Sequence, residues 1–552
     1  MNKLLARTAS AALLAALAVT SPLAQDATGR DVTRVVIAPP QNPLAETIKA
    51  GLAASYQSAP RDSAAWRDAQ SLYYFYGERH FEPLWLDQSK DGSVAFSPAA
   101  QKIIAIFKNA EAEGLRPQDY LTPAIDVTTA GTDPRSLAEL ETAFSAAVVR
   151  YATHIHTGRI RPSDVSPNLD IQPKQIDESA LLMRLAQTDA PAKIFAELEP
   201  KHREFLALKA ALAKFDDTSA PRPEPVRDGQ LLKVGMTDPR VPVIRTRLEL
   251  PVPQTDPYYY DDALFEAVKV FQAKLGLEDD GVIGPATIAA FNGGNAVTRA
   301  DIVANMERWR WMPEDLGDFN VLVNIPEYRL AIQRKGEEIY TTRVVVGTAK
   351  NQTPIFSDMI RHIVVNPYWN VPSSIVEGEI APAVLRNPSY IDSQNMELLY
   401  NGSVVSSYSV NWAMVSPQNF PFKVRQRPGD GNALGRIKFL FPNKHDVYLH
   451  DTPSKSLFSR GARAFSHGCV RVQNPMEFAE ALLANEPVLN RAKLESMFGA
   501  NERWVNPEYQ IPVHLTYFTL RVTEDGTINS FADVYGHNER LIQLMNADNS
   551  VF

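Results

Sequence analysis

The chain has 552 residues, of which 45% are hydrophobic and 22% are charged, and its formal net charge is −8. This length exceeds what one hydrophobic core usually organises and predicts roughly three to four domains. The composition is typical of globular proteins and excludes general disorder and a protein with many membrane spans. Because no basic block stands out to neutralise phosphates, nucleic acid is excluded as an expected partner.

The N-terminus has the order of a secretory signal peptide. Lys3 and Arg7 precede an apolar run at residues 9–19, which is too short for a stable membrane span. We therefore predict a signal peptide at residues 1–24 and export of the protein. Pro22 is unfavourable near the cleavage site, so a retained membrane tether is the alternative. Residues 25–65, with several prolines and a short helical pattern at residues 44–54, are predicted to form a loose stalk.

The next part of the chain reads as helical. Apolar side chains such as Leu72, Phe75 and Tyr76 recur with helical spacing, and long stretches rich in alanine and leucine follow. The pattern predicts an all-α domain at residues 66–220. Three alternating prolines then predict a linker at residues 216–228, because proline fits neither a helix interior nor a central strand.

A three-helix unit is predicted after the linker. Residues 241–250 read as its first helix, and an apolar stripe from Leu264 to Leu275 reads as its second, ended by Gly276. Pro285 stands near the start of the third helix. Such a stripe, taken alone, indicates packing and does not identify a ligand.

The same unit resembles a known domain. Residues 267–272 together with residues 280–285 resemble the small three-helix peptidoglycan-binding domain, which we place at residues 229–296. The resemblance implies binding to the glycan strands or stem peptides of peptidoglycan.

From Asn320 the hydrophobic period changes from helical to alternating, which predicts strands. A polar, proline-rich and partly helical insertion at about residues 372–430 interrupts them, and insertions of this length beside a site often act as lids. Strong alternation returns near the end of the chain and is followed by a glycine turn. We therefore predict a C-terminal β hairpin at residues 508–552.

The only cysteine of the chain, Cys469, cannot form an internal disulfide. Gly468 beside it permits a tight turn that lets the thiol and neighbouring N–H groups face one point. His450 lies nineteen residues earlier on a short predicted strand, with Tyr448 on the same face. A hairpin would bring the two strands together, so we predict that His450 is the base for the nucleophile Cys469.

These residues resemble the catalytic signature of the L,D-transpeptidases, a histidine followed later by Ser-His-Gly-Cys, here His450 and residues 466–469. Residues 306–311 and 364–372 resemble the large periplasmic branch, the murein L,D-transpeptidases of Gram-negative bacteria. The resemblance covers most of the chain from about residue 66. It implies a multidomain α+β fold with a β-rich catalytic domain at residues 320–500, a helical lid within it, and a helical scaffold domain.

The same likeness suggests roles around the nucleophile. Asp451 should point away from the neighbouring imidazole, so a backbone carbonyl is expected to orient the ring, as in the family. His467 is expected to shape an oxyanion pocket with the N–H groups of Gly468 and Cys469, and Ser466 belongs to the same pocket.

Three further side chains are candidates for the pocket. Arg471 could hold a substrate carboxylate or brace the turn. Tyr448 and Trp369 could be pocket walls or plain core aromatics.

A zinc site is the alternative chemistry, since His445, His450, His467 and Cys469 are four candidate ligands. Their spacings match no common zinc pattern. We therefore expect neither a metal nor an organic cofactor.

By resemblance the protein is a periplasmic transferase that forms 3-3 cross-links between peptidoglycan stem peptides through an acyl-enzyme on Cys469. Carbapenem-type β-lactams are expected to acylate the same thiol. An L,D-carboxypeptidase or a hydrolase that releases wall-bound proteins would use the same thioester. A wall-binding scaffold without catalysis is the remaining alternative, opposed by the intact His450 and Cys469 pair.

Overall fold

The computed structural model describes residues 36–547 except residues 62, 90–92, 216–225, 228, 275–276, 278, 285–286, 289 and 292–296. The predicted signal peptide and the prolines of the predicted linker lie outside the described residues. The chain divides into two compact units. One holds residues up to Thr157 together with Lys174–Glu199, and the other holds Gly158–Pro173 together with Pro200–Asn549. Within the described part, no helix is both long and apolar enough to cross a membrane.

The first unit is helical, as predicted, with one addition. Leu86–Gln88 and Val94–Phe96 pair as two short antiparallel strands, so the unit is not strictly all-α. Its helices share one apolar core and are Pro43–Ser58, Ala64–Glu78, Pro98–Lys108, Val127–Ala130, Pro134–Thr157, Glu178–Ala186 and Pro191–Leu198.

The short helical pattern predicted at residues 44–54 of the stalk is part of the helix Pro43–Ser58, and this part is not loose. Asn42 accepts a hydrogen bond from the Ala45 N–H at 2.8 Å, and a proline fits the first helical position. Ala45, Ile48 and Leu52 are buried in the core of the first unit. The prolines that suggested a stalk therefore mark the start of a helix whose apolar side is packed.

A buried carboxylate holds the first unit together. Glu141 accepts hydrogen bonds from the Tyr76 hydroxyl and the Leu84 N–H, each at 2.6 Å, and from the Trp85 N–H at 3.2 Å. Burial raises the pKa of Glu141 to about 7, while these donors oppose the rise. Both oxygens of the side chain are therefore engaged.

The region predicted to bind peptidoglycan contains the helices Val241–Arg247 and Asp262–Lys274, and residues 287–288 and 290–291 are helical too. The first helix ends three residues earlier than predicted, and Glu249 follows in the left-handed region with φ of +57°. The predicted helix end at Gly276 and the start at Pro285 lie outside the described residues.

The helix Arg299–Trp311 is buried on nearly every side within the second unit. A capping box fixes its start, since Thr298 and Asp301 exchange side-chain to backbone hydrogen bonds. The helix Arg203–Lys214 packs against it through Phe205 and other apolar side chains. The prediction assigned this helix to the domain at residues 66–220, whereas it packs within the second unit, because an apolar stripe predicts a helix but not the core that receives it.

The centre of the second unit is a large mixed sheet with eleven strands among the described residues. The strands are β1 (Phe319–Asn324), β2 (Arg329–Arg334), β3 (Glu337–Gly347), β4 (Phe356–Ile360), β5 (His362–Val365), β6 (Ile437–Leu440), β7 (Leu449–His450), β8 (Ala464–Ser466), β9 (Val470–Val472), β10 (Arg503–Val505) and β11 (Ile511–Thr516). Their order is β10-β5-β6-β7-β9-β3-β2-β1-β11-β4, and β8 pairs with β3. The order places β7 and β9 side by side in the middle of the sheet.

The insertion predicted as a helical lid is not purely helical. Its own small sheet consists of four antiparallel strands, Trp369–Asn370, Met396–Tyr400, Ser403–Val405 and Lys423–Gln426. Short helical segments lie between these strands, and the insertion has a separate apolar cluster. We refer to residues 372–430 as the inserted segment.

The C-terminal prediction also needs correction. A hairpin forms between Leu520–Val522 and Ile528–Ser530, but the alternating residues before it are β11 of the large sheet. Residues His537–Asn546 form a helix. Leu541 and Met545 are buried four residues apart, which is helical spacing that the hairpin prediction overlooked.

Candidate active site

The strands of the predicted base and nucleophile lie next to each other. Leu449 pairs with Val470 and His450 pairs with Arg471, in a parallel arrangement. The predicted hairpin is therefore wrong in direction, although it is right that the strands meet. Cys469 directly precedes β9, and its thiol is hydrogen-bonded to Tyr448, which directly precedes β7 and lies two positions before His450.

A backbone carbonyl orients the buried imidazole of His450, as predicted. The Nδ1 atom of His450 lies 2.5 Å from the carbonyl oxygen of Asp451. Because a carbonyl oxygen only accepts, Nδ1 carries the hydrogen and Nε2 keeps its lone pair. Burial, followed by the positive charge of Arg471, lowers the pKa of His450 to about 3, although the hydrogen bond to the Asp451 carbonyl opposes this. The ring is therefore neutral at ordinary pH and able to take a proton.

The thiol is also neutral at rest. Burial raises the pKa of Cys469 to about 11, although hydrogen bonds from the Tyr448 backbone N–H and hydroxyl and the charge of Arg471 act to lower it. The sulfur lies 3.8 Å from the carbonyl oxygen of Asp446. A neutral imidazole beside a neutral thiol is compatible with removal of the thiol proton by His450 during the attack.

The turn before the nucleophile has a defined hydrogen-bond pattern. Gly468 has a φ of +118°, which a residue with a side chain rarely adopts. Its N–H donates to the Ser466 hydroxyl oxygen at 3.1 Å, and that hydroxyl donates to the Cys469 carbonyl at 2.5 Å. The predicted oxyanion donor at Gly468 is therefore already engaged. The Cys469 N–H donates to no acceptor among the described residues and remains the backbone donor at the nucleophile.

Two predicted pocket residues have partners in or beside the inserted segment. His467 is exposed, and its Nε2 is 2.9 Å from a carboxylate oxygen of Glu379 in the inserted segment. Trp369 packs against the apolar cluster of the inserted segment, which is the alternative role of a core aromatic. Tyr448, in contrast, lies beside the thiol, and its ring centroid is 5.7 Å from that of His450.

Two cations flank the base in neighbouring strands. Lys438 pairs with His450 on one side, and Arg471 pairs with His450 on the other. The Nε of Arg471 is buried without a hydrogen-bond partner among the described residues. Lys438 is only 8% exposed, and its ammonium group lies 5.6 Å from the centre of the Tyr448 ring.

Sequence reasoning missed Lys438. The available signal was a lysine between the apolar neighbours Ile437 and Phe439 on a predicted strand, but only strand pairing places it next to the imidazole.

The side chains of the zinc alternative do not form a common site. His445 bonds to Asp170 at 3.0 Å, while His450 and His467 have the separate partners described above. The part of the chain that the structure describes contains no group of three or more His, Cys, Asp or Glu side chains arranged to hold a metal.

Three segments match known domain families. Residues 70–212 match the family described as "Scaffold domain", and residues 318–489 match the "L,D-transpeptidase catalytic domain". Residues 248–291 match the family described as "Putative peptidoglycan binding domain". The matched catalytic segment contains β7, the nucleophile turn and β9.

A curated protein of Haemophilus influenzae, named "Putative L,D-transpeptidase", is 36% identical over 244 residues, which is 44% of this chain and 48% of that protein. The chain thus spans about half the length of this relative. An L,D-transpeptidase structure from Mycobacterium smegmatis is 13% identical, covering 36% of this chain and 58% of that one, with a TM-score of 0.18.

A second L,D-transpeptidase structure, from Xylanimonas cellulosilytica, is 18% identical, covering 53% of this chain and 100% of that one, with a TM-score of 0.16. TM-scores this low establish no shared fold for the whole chain. The matches to domain families are the informative ones: separate segments of the chain are similar to a scaffold domain, a putative peptidoglycan binding domain and the L,D-transpeptidase catalytic domain.

Proposed function

We propose that this protein is a peptidoglycan L,D-transpeptidase that forms 3-3 cross-links between stem peptides through an acyl-enzyme on Cys469. The observation that supports the proposal is the parallel pairing of β7, which holds His450, with β9, which directly follows Cys469, within the segment that matches the catalytic domain family. A neutral imidazole with a free Nε2 beside a protonated thiol is the resting state that general-base catalysis requires.

In the first half-reaction, His450 Nε2 takes the thiol proton while Cys469 Sγ attacks the amide carbon between the L-centre of the third stem residue and D-alanine. The negative charge that develops on the amide oxygen accepts a hydrogen bond from the Cys469 N–H. The C–N bond then breaks, His450 returns the proton to the leaving amine, and D-alanine departs. A thioester with the tripeptide remains.

In the second half-reaction, the side-chain amine of a second stem attacks the thioester carbon. His450 accepts the proton from this amine, and the C–S bond breaks. The thiolate then recovers the proton from the imidazolium, which restores the resting pair. No redox step and no external reductant is needed.

The two cations give the site a preference for anionic substrates. Arg471 has an unused buried donor, and Lys438 adds a second positive charge on the other side of the base. Peptide stems carry carboxylates, which a guanidinium binds with charge-assisted hydrogen bonds. We propose that Arg471 holds a substrate carboxylate beside the scissile amide.

We also propose that the protein acts at the cell wall. This location is supported by the match of residues 248–291 to a peptidoglycan-binding family and by the signal-like N-terminal sequence. We propose a periplasmic location and acylation of Cys469 by carbapenem-type β-lactams, without a metal or an organic cofactor.

The decisive experiment incubates the purified protein with a disaccharide-tetrapeptide and follows both the protein and the products by mass spectrometry. A covalent tripeptide adduct on the wild type and none on Cys469→Ala is expected, together with a cross-linked dimer. A tripeptide product without dimer would make the protein a hydrolase. Absence of any adduct, in an enzyme that remains folded, would leave only the wall-binding scaffold.

A further inference from the structure

Two hydroxyl groups that lie outside the catalytic motif hold the nucleophile turn. The Thr353 hydroxyl donates to the Gly468 carbonyl oxygen at 2.8 Å and accepts from the Gly347 N–H at 2.9 Å. The Tyr535 hydroxyl donates to the Gly347 carbonyl oxygen at 2.8 Å and accepts from the Thr353 N–H at 3.1 Å. We call Thr353 and Tyr535 the hydroxyl pair.

The loop between Gly347 and Thr353 has little freedom to move. A Cβ atom at Gly347 would collide with the backbone of the same loop, at the Asn351 carbonyl oxygen. The Thr353 side chain is fully buried, with 0% exposure. The position of the threonine hydroxyl is therefore fixed by the packing of this loop and by the tyrosine.

Tyr535 is itself held from the C-terminal end of the chain. Its N–H donates to the Tyr517 hydroxyl at 2.7 Å, and that hydroxyl donates to Asp533 at 2.6 Å. The second oxygen of Asp533 accepts from the Asn538 and Glu539 N–H groups, each at 2.9 Å, at the start of the helix His537–Asn546. The tyrosine thus belongs to a tight polar cluster beyond residue 489, where the match to the catalytic family ends.

Peptide geometry connects these contacts to the chemistry. The Gly468 carbonyl and the Cys469 N–H belong to the same peptide unit, and in a trans peptide these two groups point in opposite directions. A hydrogen bond that directs the carbonyl towards Thr353 therefore directs the N–H away from Thr353. That N–H is the free backbone donor at the nucleophile. Because Gly468 tolerates a wide range of backbone angles, an external contact is needed to keep this peptide from rotating.

We propose that Thr353 and Tyr535 are positioning residues that aim the Cys469 N–H at the oxyanion formed during acylation. The C-terminal cluster around Asp533 thereby becomes part of the catalytic apparatus without touching the substrate. The inference rests on the proposed acyl-enzyme mechanism and adds to it the residues that orient its backbone donor.

The test compares two reactions of the same sulfur. Acylation by the tetrapeptide substrate, or by imipenem, passes through an oxyanion, whereas alkylation by iodoacetamide occurs at a saturated carbon and forms none. Thr353→Val removes the hydroxyl at nearly constant shape, and Tyr535→Phe removes the other one. Both variants are expected to lower the acylation rate about 10- to 100-fold. Their alkylation rates should stay within about twofold of the wild type, after normalisation to the folded fraction.

Two controls separate positioning from general damage. Thr353→Ser keeps the hydroxyl and should restore most of the acylation rate. Thr342→Val removes another buried hydroxyl, from β3, that does not bond to Gly468, and it should leave acylation unchanged. If Thr353→Val fails to fold, Tyr535→Phe carries the test alone.

Equal acylation rates in the wild type and both hydroxyl variants would overturn the inference while the proposed function stands. A parallel fall of acylation and alkylation would also overturn it, because the contacts would then only support the fold. A folded wild type that forms no adduct with either acylating reagent would overturn the proposed function and this inference together.

Discussion

Glu141 in the first unit and the His450 and Cys469 pair in the second are both ionisable groups in buried surroundings, but their hydrogen bonding differs. Both oxygens of Glu141 accept hydrogen bonds, from a hydroxyl and two backbone N–H groups. In the active site, the imidazole keeps its Nε2 lone pair and the Cys469 N–H has no acceptor among the described residues.

This difference helps to distinguish a buried polar group that stabilises the fold from one that is available for catalysis. A saturated group lowers the energy of the folded state, because removing it leaves its partners without hydrogen bonds. A buried group with an unused donor or acceptor lowers the stability of the resting protein. The unused donor or acceptor can instead form a hydrogen bond with a substrate or a transition state. Substitutions in the two places should therefore separate stability from catalysis.

The largest effect is expected at the base. His450→Gln should lower the rate of acyl-adduct formation about 10²- to 10⁴-fold, because a positioned general base is lost. Intact-mass kinetics with the tetrapeptide measure this rate. His445→Gln is the matched control, since the His445 imidazole bonds to Asp170 and should leave the rate unchanged. A normal rate in His450→Gln would mean that another group removes the thiol proton.

The opposite result is expected in the first unit. Glu141→Leu should destabilise the helical unit by about 2–5 kcal/mol, because the Leu84 and Trp85 N–H groups lose their acceptor. Hydrogen exchange of these two amides measures the loss, and the acylation rate of the protein that remains folded should not change. Glu139→Leu on the same helix alters an exposed side chain and should change stability by less than about 0.5 kcal/mol. Similar losses for both variants would contradict the role of Glu141.

The smallest expected effect is the response to pH. Because the folded pKa of His450 is lowered to about 3, the base stays unprotonated as the pH falls through 6.5, and acylation should change less than about twofold between pH 8 and 5. Because the pKa of Cys469 is raised to about 11, alkylation by iodoacetamide should keep rising up to pH 10. Stopped assays across this range measure both rates. An acylation rate that halves near pH 6.5, or an alkylation plateau near pH 8, would show that the resting pair is not neutral.

The broad layout could be predicted from the sequence because hydrophobic period distinguishes helices from strands. The change at Asn320 gave the β-rich part, and the lone Cys469 beside Gly468 indicated the nucleophile. The carbonyl that orients His450 could also be predicted, since an adjacent aspartate on an extended strand points to the other face.

The other contacts at the site depend on which strands pair and in which direction, and the local sequence pattern does not determine this pairing. Nineteen residues between two short strands allow either direction, and the chain in fact returns through β8 to make a parallel pair. Likewise, the sequence does not show that Lys438 pairs with His450 or that Thr353 bonds to Gly468, because both contacts join distant parts of the chain. The hydrogen bond of the Gly468 N–H could not be predicted either, because it depends on the rotation of a single peptide unit.

The raised pKa of the single thiol also affects how readily the protein is oxidised. Oxidants and disulfide-exchange partners react with the thiolate, and near neutral pH only a very small fraction of Cys469 is in that form. With no second cysteine in the chain to rescue a sulfenic acid, such damage could not be reversed internally. A thiol with so high a pKa is thus protected against oxidation while it is at rest.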